Sequence, residues 1–170
     1  ISEAPAKHLH LGFQINVAAP HDLSREAAAH MKAQRSGWIV NISSATATNP
    51  APAPYDFKDR YTEFNHSGGT TIYGATKAGL NRLTSGWAVE MAGTGIAVNA
   101  LSPVGAVASE GALAVGGWNK GDQMEPPETM AEAVLQLCHR PASELSGRIA
   151  TSLPLLQELK IATKTLDGCH

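Results

Sequence analysis

Apolar residues recur at helical spacing in three stretches of the chain. The first covers residues 6–31, and because Pro20 interrupts its pattern we expect either one helix kinked near Pro20 or two helices. The second covers residues 76–91 and is followed by two glycines, as is typical where a helix ends. The third opens at residues 126–128, whose two prolines and glutamate suit the first turn of a helix.

Three short segments, one after each of these helices, have the composition of strands. Residues 38–43, 96–101 and 147–153 are short and rich in apolar and β-branched side chains, as in buried parallel strands. Strands that alternate with helices favour a parallel sheet covered on both faces. The chain is therefore predicted to be a single α/β domain over residues 1–170.

Two further segments lack a periodic pattern. Residues 45–71 carry three prolines, a charged and aromatic patch and a Ser-Gly-Gly sequence, so we expect a long loop there. Residues 104–125 are rich in small residues, and we expect a flexible segment that closes over a substrate. Loops of this length inside a compact domain usually serve a function.

Composition narrows the class of protein. Of the 170 residues 43% are hydrophobic and 16% are charged, a mixture that excludes an intrinsically disordered chain. The formal net charge of −2 argues against a nucleic-acid binder or an anionic-membrane binder, since either would carry a basic excess. We therefore expect neither a nucleic acid nor a membrane as the partner.

The cysteines and the start of the chain bear on the cellular location of the protein. The two cysteines, Cys138 and Cys169, make no disulfide framework, so a cytoplasmic location is expected, with Cys138 as a packing residue. We expect no transmembrane helix and no secretory signal, because no stretch of about 18 apolar residues and no basic-then-apolar start is present. The first residue, Ile1, suggests a piece of a longer reading frame.

The seven histidines do not predict a metal site. Only His8 and His10 lie close together, and their spacing places them on different sides of a helix. We therefore expect solvated histidines and no bound metal.

A serine, a tyrosine and a lysine form the cluster with an evident chemistry. Ser44 follows the first predicted strand, with Ser43 as the competing candidate, and Tyr73 and Lys77 share one face at the start of a helix. A free phenol has a pKa of about 10, which leaves it about 4 kcal/mol too protonated to act as a base at pH 7, and a nearby ammonium lowers such a pKa. The phenol can then exchange a proton with an alcohol or ketone oxygen that a serine hydroxyl holds.

The chain resembles the short-chain dehydrogenase/reductase family in three segments: residues 37–44 (GWIVNISS), 73–80 (YGATKAGL) and 95–103 (GIAVNALSP). A lone Tyr-x-x-x-Lys pattern is weak evidence. Here it stands in order between a strand that ends in serine and a Val-Asn-Ala-x-x-Pro strand, which makes the resemblance specific.

This resemblance implies an oxidoreductase that transfers a hydride between NAD or NADP and a secondary alcohol or ketone. Tyr73 would be the acid/base, Lys77 would assist it and hold the nicotinamide ribose, and Ser44 would position the substrate oxygen. Asn16, which stands 28 residues before Ser44, has the family's spacing for an asparagine that holds a water in a proton path to the lysine.

The remaining cofactor contacts are assigned by the same resemblance. Pro103 and Val104 join Tyr73 and Lys77 as predicted cofactor-binding residues. Val104 stands where the family commonly has glycine. Ala108 stands where a threonine often grips the nicotinamide carboxamide, with Ser109 as a substitute one position on.

The resemblance also implies an incomplete version of the family's fold. The fold expected is a Rossmann-type, doubly wound parallel sheet whose N-terminal strands are missing, because the chain lacks the family's glycine-rich nucleotide fingerprint. In the family, the helix carrying the asparagine and the helix carrying the lysine often form a subunit interface, so a homo-oligomer is expected. The alternative is an inactive remnant, or an oligomer-forming subunit that binds no cofactor.

Overall fold

Helices and strands alternate along the chain in a computed structural model that describes residues 4–66, 70–115 and 124–163. The elements are α1 (Ala6–Phe13), α2 (Ala19–Gln34), β1 (Gly37–Ile42), α3 (Arg60–His66), α4 (Thr70–Glu90), β2 (Ile96–Ser102), α5 (Glu110–Val115), α6 (Pro127–His139), β3 (Ile149–Thr151) and α7 (Ser152–Leu159). A π-helical turn, Gln14–Ala18, joins α1 to α2, and a 3-10 turn, Ala45–Ala47, follows β1.

The three strands form one parallel sheet in the order β1-β2-β3. Gly37 pairs with Ile96 at one end of β1, and Ile42 pairs with Leu101 at the other. Every residue of β2 is buried, as expected for the middle strand. The prediction of a parallel α/β sheet is confirmed, but β1 is not the buried strand expected, because it lies at an edge of the described sheet and Ile42 is exposed.

Helices cover both faces of the sheet, as predicted. Asn41 of β1 donates to Thr84 of α4 at 2.9 Å on one face. Asn99 of β2 points to the opposite face, where it donates to the carbonyl of Leu145 at 3.0 Å. On that second face the hydrophobic core gathers residues of β2, β3, α6, α7 and the turn between α6 and β3: Leu101, Ala133, Leu137, Leu145, Ala150, Leu155 and Leu156.

The first helical region continues without a break through Pro20. The structure is thus neither a simply kinked helix nor two separate helices, because α1 and α2 are joined by a π-helical turn. A proline has no N–H to donate to the carbonyl four residues earlier, which here is that of Asn16. The wide π-helical turn Gln14–Ala18, which ends two residues before Pro20, accommodates this missing bond. The helix is therefore unbroken but irregular at Asn16.

The expected loop over residues 45–71 is partly wrong, because it contains α3 and the start of α4. Asp59 begins α3, since its Oδ2 accepts from the backbone N–H of Thr62 at 2.7 Å, which is the bond of a helix N-cap. Helix α4 begins at Thr70, six residues earlier than the apolar spacing predicted.

Two other expectations need correction. The segment 104–125 contains the short helix α5, and its residues 116–123 lie outside the described residues, so the predicted flexibility stays a prediction there. The last strand ends at Thr151 instead of continuing to residue 153, because helix α7 begins at Ser152.

Candidate active site

The carboxyl end of β1 and helix α4 meet at Lys77. The ammonium of Lys77 donates to the carbonyl of Ile42, the last residue of β1, at 2.7 Å. Only 9% of the lysine is exposed, and this burial lowers the pKa of Lys77 from its ordinary value. The long side chain thus brings one cationic group to the point where the chain leaves the strand.

Ser44 caps the 3-10 turn that follows β1. Its Oγ accepts from the backbone N–H of Thr46 at 3.2 Å and from the Thr46 hydroxyl at 2.9 Å. The turn lies against α4 at Gly74, where an added Cβ would approach the carbonyl oxygen of Thr46 to 2.6 Å. Glycine at position 74 therefore allows the serine turn to pack directly against α4, at the residue that follows Tyr73 in the chain.

Ser43, the competing candidate, has a different environment. It is 5% exposed, and its Oγ is closed to solvent and has no hydrogen-bond partner among the residues that the structure describes. Ser44 is less buried and its hydroxyl is already oriented by Thr46. Of the two hydroxyls, that of Ser44 is the more accessible to a substrate.

Tyr73 is the exposed member of the cluster. Its side chain is 41% exposed, and the Nζ of Lys77 lies 5.7 Å from the centroid of its ring. Tyr73 and Lys77 are one turn apart on α4, as predicted, so the aromatic ring and the ammonium lie close together. The structure brings a phenol that solvent reaches next to a buried cation.

Asn16 contacts α4 through Thr76. The Asn16 amide donates to the Thr76 hydroxyl at 3.1 Å, and that hydroxyl donates to the main-chain carbonyl of Tyr73 at 2.7 Å. Asn16 also lines, together with Lys77, a cleft of about 430 Å³ between α2 and β1. The cleft has room for a water, but the water-linked path from Asn16 to Lys77 stays a prediction.

Pro103 and Val104 follow β2, at the same edge of the sheet as Ser44. The N–H of Val104 donates to Oε2 of Glu125 at 2.7 Å, and the hydroxyl of Tyr61 donates to the Val104 carbonyl at 3.3 Å. Neither Tyr61 nor Glu125 was found from the sequence. No pattern in the sequence could have found them, because each lies far along the chain from Val104.

These contacts decide which groups fit a nicotinamide dinucleotide. An ammonium has three donors, and Ile42 occupies one of those of Lys77, so the others remain able to donate to ribose hydroxyls. The N–H of Val104 is engaged by Glu125, so Val104 has no main-chain donor left for a ligand, whereas its carbonyl, which accepts from Tyr61, keeps a second acceptor position. The residues present fit the ribose end of such a cofactor better than its carboxamide end.

Other features of the described residues bear on the remaining predictions. None of the helices in the described ranges is both long and apolar enough to cross a membrane. In the same ranges no three His, Cys, Asp or Glu side chains are placed to hold a metal ion, and the prediction of no metal stays a prediction. Cys138 is half-buried, and this partial burial raises the pKa of its thiol; its role as a packing residue stays a prediction.

Comparison with known proteins gives consistent matches. The family model for short chain dehydrogenases matches residues 61–115. A short chain dehydrogenase of Pseudocercospora fijiensis is 26% identical over 157 residues, which are 92% of this chain and 44% of that protein. A 3-oxoacyl-acyl-carrier-protein reductase of Thermotoga maritima is 33% identical over 89 residues, 52% of this chain and 30% of that protein.

Solved structures share the fold. A short chain dehydrogenase/reductase family protein superposes with a TM-score of 0.70 at 32% identity, covering 89% of this chain and 59% of that chain. The chain spans less than half the length of the two curated relatives above.

Proposed function

This chain belongs to the short-chain dehydrogenase/reductase family, and on that premise we propose that it carries the proton-transfer site of an NAD(P)-dependent oxidoreductase. The substrate class is a secondary alcohol or the corresponding ketone. The observation that supports this most is the buried ammonium of Lys77, which binds the last carbonyl of β1 and lies beside the exposed ring of Tyr73. The Ser44 hydroxyl, which caps the turn directly after β1, completes the proposed site.

Each of the three side chains has a distinct part in the reaction. During reduction the Tyr73 hydroxyl gives its proton to the ketone oxygen, and during oxidation the phenolate takes the proton of the alcohol. The ammonium of Lys77 stabilises the negative charge that remains on the phenol after the proton leaves. The Ser44 hydroxyl donates to the ketone oxygen, or accepts from the alcohol, and so holds that oxygen. The nicotinamide cofactor, when bound, supplies or accepts the hydride.

We infer that Tyr73 regains its proton through Lys77 and the cleft beside Asn16. After reduction the phenolate must regain a proton, and Lys77 is an acid on the same face of α4, with its Nζ 5.7 Å from the centroid of the Tyr73 ring. Asn16 lines the cleft that Lys77 also lines, so a water held there would connect the ammonium to solvent. We assign Asn16 to this path.

We also propose that the chain forms a homo-oligomer. Several large apolar side chains of the first helical region are exposed on its surface, which is common where two protein surfaces meet. They are Leu9, Leu11, Phe13, Ile15 and Leu23.

Titration of this chain with NADH and with NADPH, followed by the fluorescence of the reduced nicotinamide, tests the proposal. Saturable binding with a Kd on the order of micromolar supports an oxidoreductase. If neither NADH nor NADPH binds, the proposal is contradicted, and the alternative of an inactive or oligomer-forming subunit is favoured.

A further inference from the structure

Two side chains from distant segments hold the main chain where it leaves β2. The carboxylate of Glu125 accepts from the N–H of Val104 at 2.7 Å, and the hydroxyl of Tyr61 donates to the Val104 carbonyl at 3.3 Å. These bonds fix the two peptide groups that flank Val104. Pro103, just before, fixes its own φ angle. The backbone at this point therefore has little freedom to rotate.

Glu125 is built into the segment it holds. Its own N–H donates to the carbonyl of Ala106 at 2.7 Å, and its carbonyl accepts from the N–H of Ala108 at 2.9 Å, as part of a parallel bridge with Val107. Those main-chain bonds do not depend on the side chain at position 125. The carboxylate has the separate task of binding Val104.

Burial makes this carboxylate unusual. Only 9% of Glu125 is exposed, and its second oxygen, Oε1, has no hydrogen-bond partner among the described residues. Burying a carboxylate is costly unless it makes strong bonds, and a bond from a backbone N–H to a charged acceptor is about twice as strong as a neutral one. A neutral apolar residue would fill the same space without that cost. The bond to Val104 is therefore the contribution that the buried carboxylate makes here.

We propose that Glu125, assisted by Tyr61, is a positioning residue that fixes the main chain at Pro103–Val104 beside the nicotinamide site. The inference rests on the proposed function, because it assigns this part of the chain to the cofactor. Glu125 touches neither substrate nor cofactor in this account. It acts through the orientation of Val104.

Amide hydrogen exchange measured by NMR tests the structural part directly. In Glu125→Ala the Val104 amide should exchange about tenfold faster or more, because it loses a charge-assisted bond. Glu125→Gln keeps an acceptor oxygen and should lie between Glu125→Ala and the unmodified chain. Glu110→Gln, an exposed glutamate of the same segment, is the matched control and should leave the Val104 amide unchanged. Equal exchange in all four proteins overturns the proposal.

Kinetics separate positioning from a general loss of structure. Glu125→Ala should raise the KM for the nicotinamide cofactor about tenfold with a much smaller change in kcat, and Glu125→Gln should recover most of that loss. Tyr61→Phe should show a smaller change in the same direction. A fall in kcat at constant KM, or no recovery in Glu125→Gln, overturns the positioning role. If the unmodified chain binds no cofactor, the proposed function has failed, whereas the exchange result still decides whether Glu125 fixes Val104.

Discussion

The chain leaves β1 and β2 at the same edge of the sheet, and different kinds of contact hold it at the two places. After β1, Ser44 caps a turn of its own, and Lys77 reaches from the adjacent helix to the last strand carbonyl. After β2, Val104 depends on Tyr61 and Glu125, which are 43 and 21 residues away in the chain. The first place is held by a turn packed on a helix and the second by side chains from separate segments.

This difference separates residues that take part in the proposed reaction from residues that only orient the backbone. At the end of β1 the side chains that hold the chain, Ser44 and Lys77, also have proposed roles in the reaction, so a substitution there removes chemistry. At the end of β2 the holding side chains orient a backbone segment, so a substitution there changes binding. Substitutions at the two places should therefore have different consequences.

Apart from Tyr73, the largest effect is expected at Ser44. Ser44→Ala removes a hydroxyl that would bind the developing charge on the substrate oxygen, and kcat should fall by about 10²–10³. Ser43→Ala is the matched control, because its hydroxyl is closed to solvent, and its kcat should stay near that of the unmodified chain. Steady-state rates with a ketone and NADH or NADPH check this. Equal losses in the two variants would remove Ser44 from the site.

A second prediction concerns the packing of the serine turn on α4. In Gly74→Ala the new Cβ would lie 2.6 Å from the Thr46 carbonyl oxygen, so backbone must shift, and stability should fall by about 1–3 kcal/mol. Gly79→Ala on the same helix meets only Val17, at the ordinary distance of 3.8 Å, and should be neutral or stabilising by up to about 1 kcal/mol. Urea denaturation measures both. Equal stability of the two variants would contradict the close approach at Gly74.

The burial of Lys77 predicts a pH dependence of stability. Because burial lowers the pKa of Lys77 below 10.5, the unfolded chain binds more protons than the folded chain between the lowered pKa and 10.5. The free energy of unfolding, taken relative to Lys77→Met, should therefore rise with pH in that window, by at most about 1.4 kcal/mol per pH unit.

Urea denaturation from neutral pH to pH 11 checks the sign of this Lys77 effect. Lys32→Met, which removes an exposed lysine of α2, is the control and should show no such rise. A difference that falls with pH, or stays constant, would mean that Lys77 is not buried as a cation.

The smallest effect is expected at Asn16. Asn16→Ala removes its bond to the Thr76 hydroxyl and should cost about 0.5–1.5 kcal/mol of stability. Gln14→Ala, an exposed residue of the same π-helical turn, should cost less. Thermal unfolding compares the two. A larger loss for Gln14→Ala would contradict the Asn16 contact.

The sequence predicted what local patterns determine. The Tyr73–Lys77 pair was found because their spacing places them on one helix face whatever the rest of the chain does. The strands were found from their composition, but the exposure of Ile42 was not, since it depends on where β1 lies in the sheet. Helix α3 was missed although Asp59 carries a capping signal, because prolines and aromatic residues dominate that segment.

Contacts between distant segments could not be predicted. Nothing in the residues around Val104 indicates that Tyr61 and Glu125 will meet it, because neither spacing nor periodicity relates the three positions. The close approach of Gly74 to Thr46 is similar, since a glycine inside a helix has no single meaning in sequence. These contacts depend on how the folded chain brings distant segments together, which the local sequence does not determine.

The most direct measurement compares ketone reduction by the unmodified chain, Tyr73→Phe and Tyr55→Phe, with cofactor affinity measured on all three. Each variant loses a single hydroxyl, and Tyr55 is an exposed tyrosine outside the cluster. We expect turnover to fall by about 10²–10⁴ in Tyr73→Phe alone, with cofactor affinity retained. Turnover retained in Tyr73→Phe, at unchanged cofactor affinity, would contradict the assignment of the proton transfer to Tyr73.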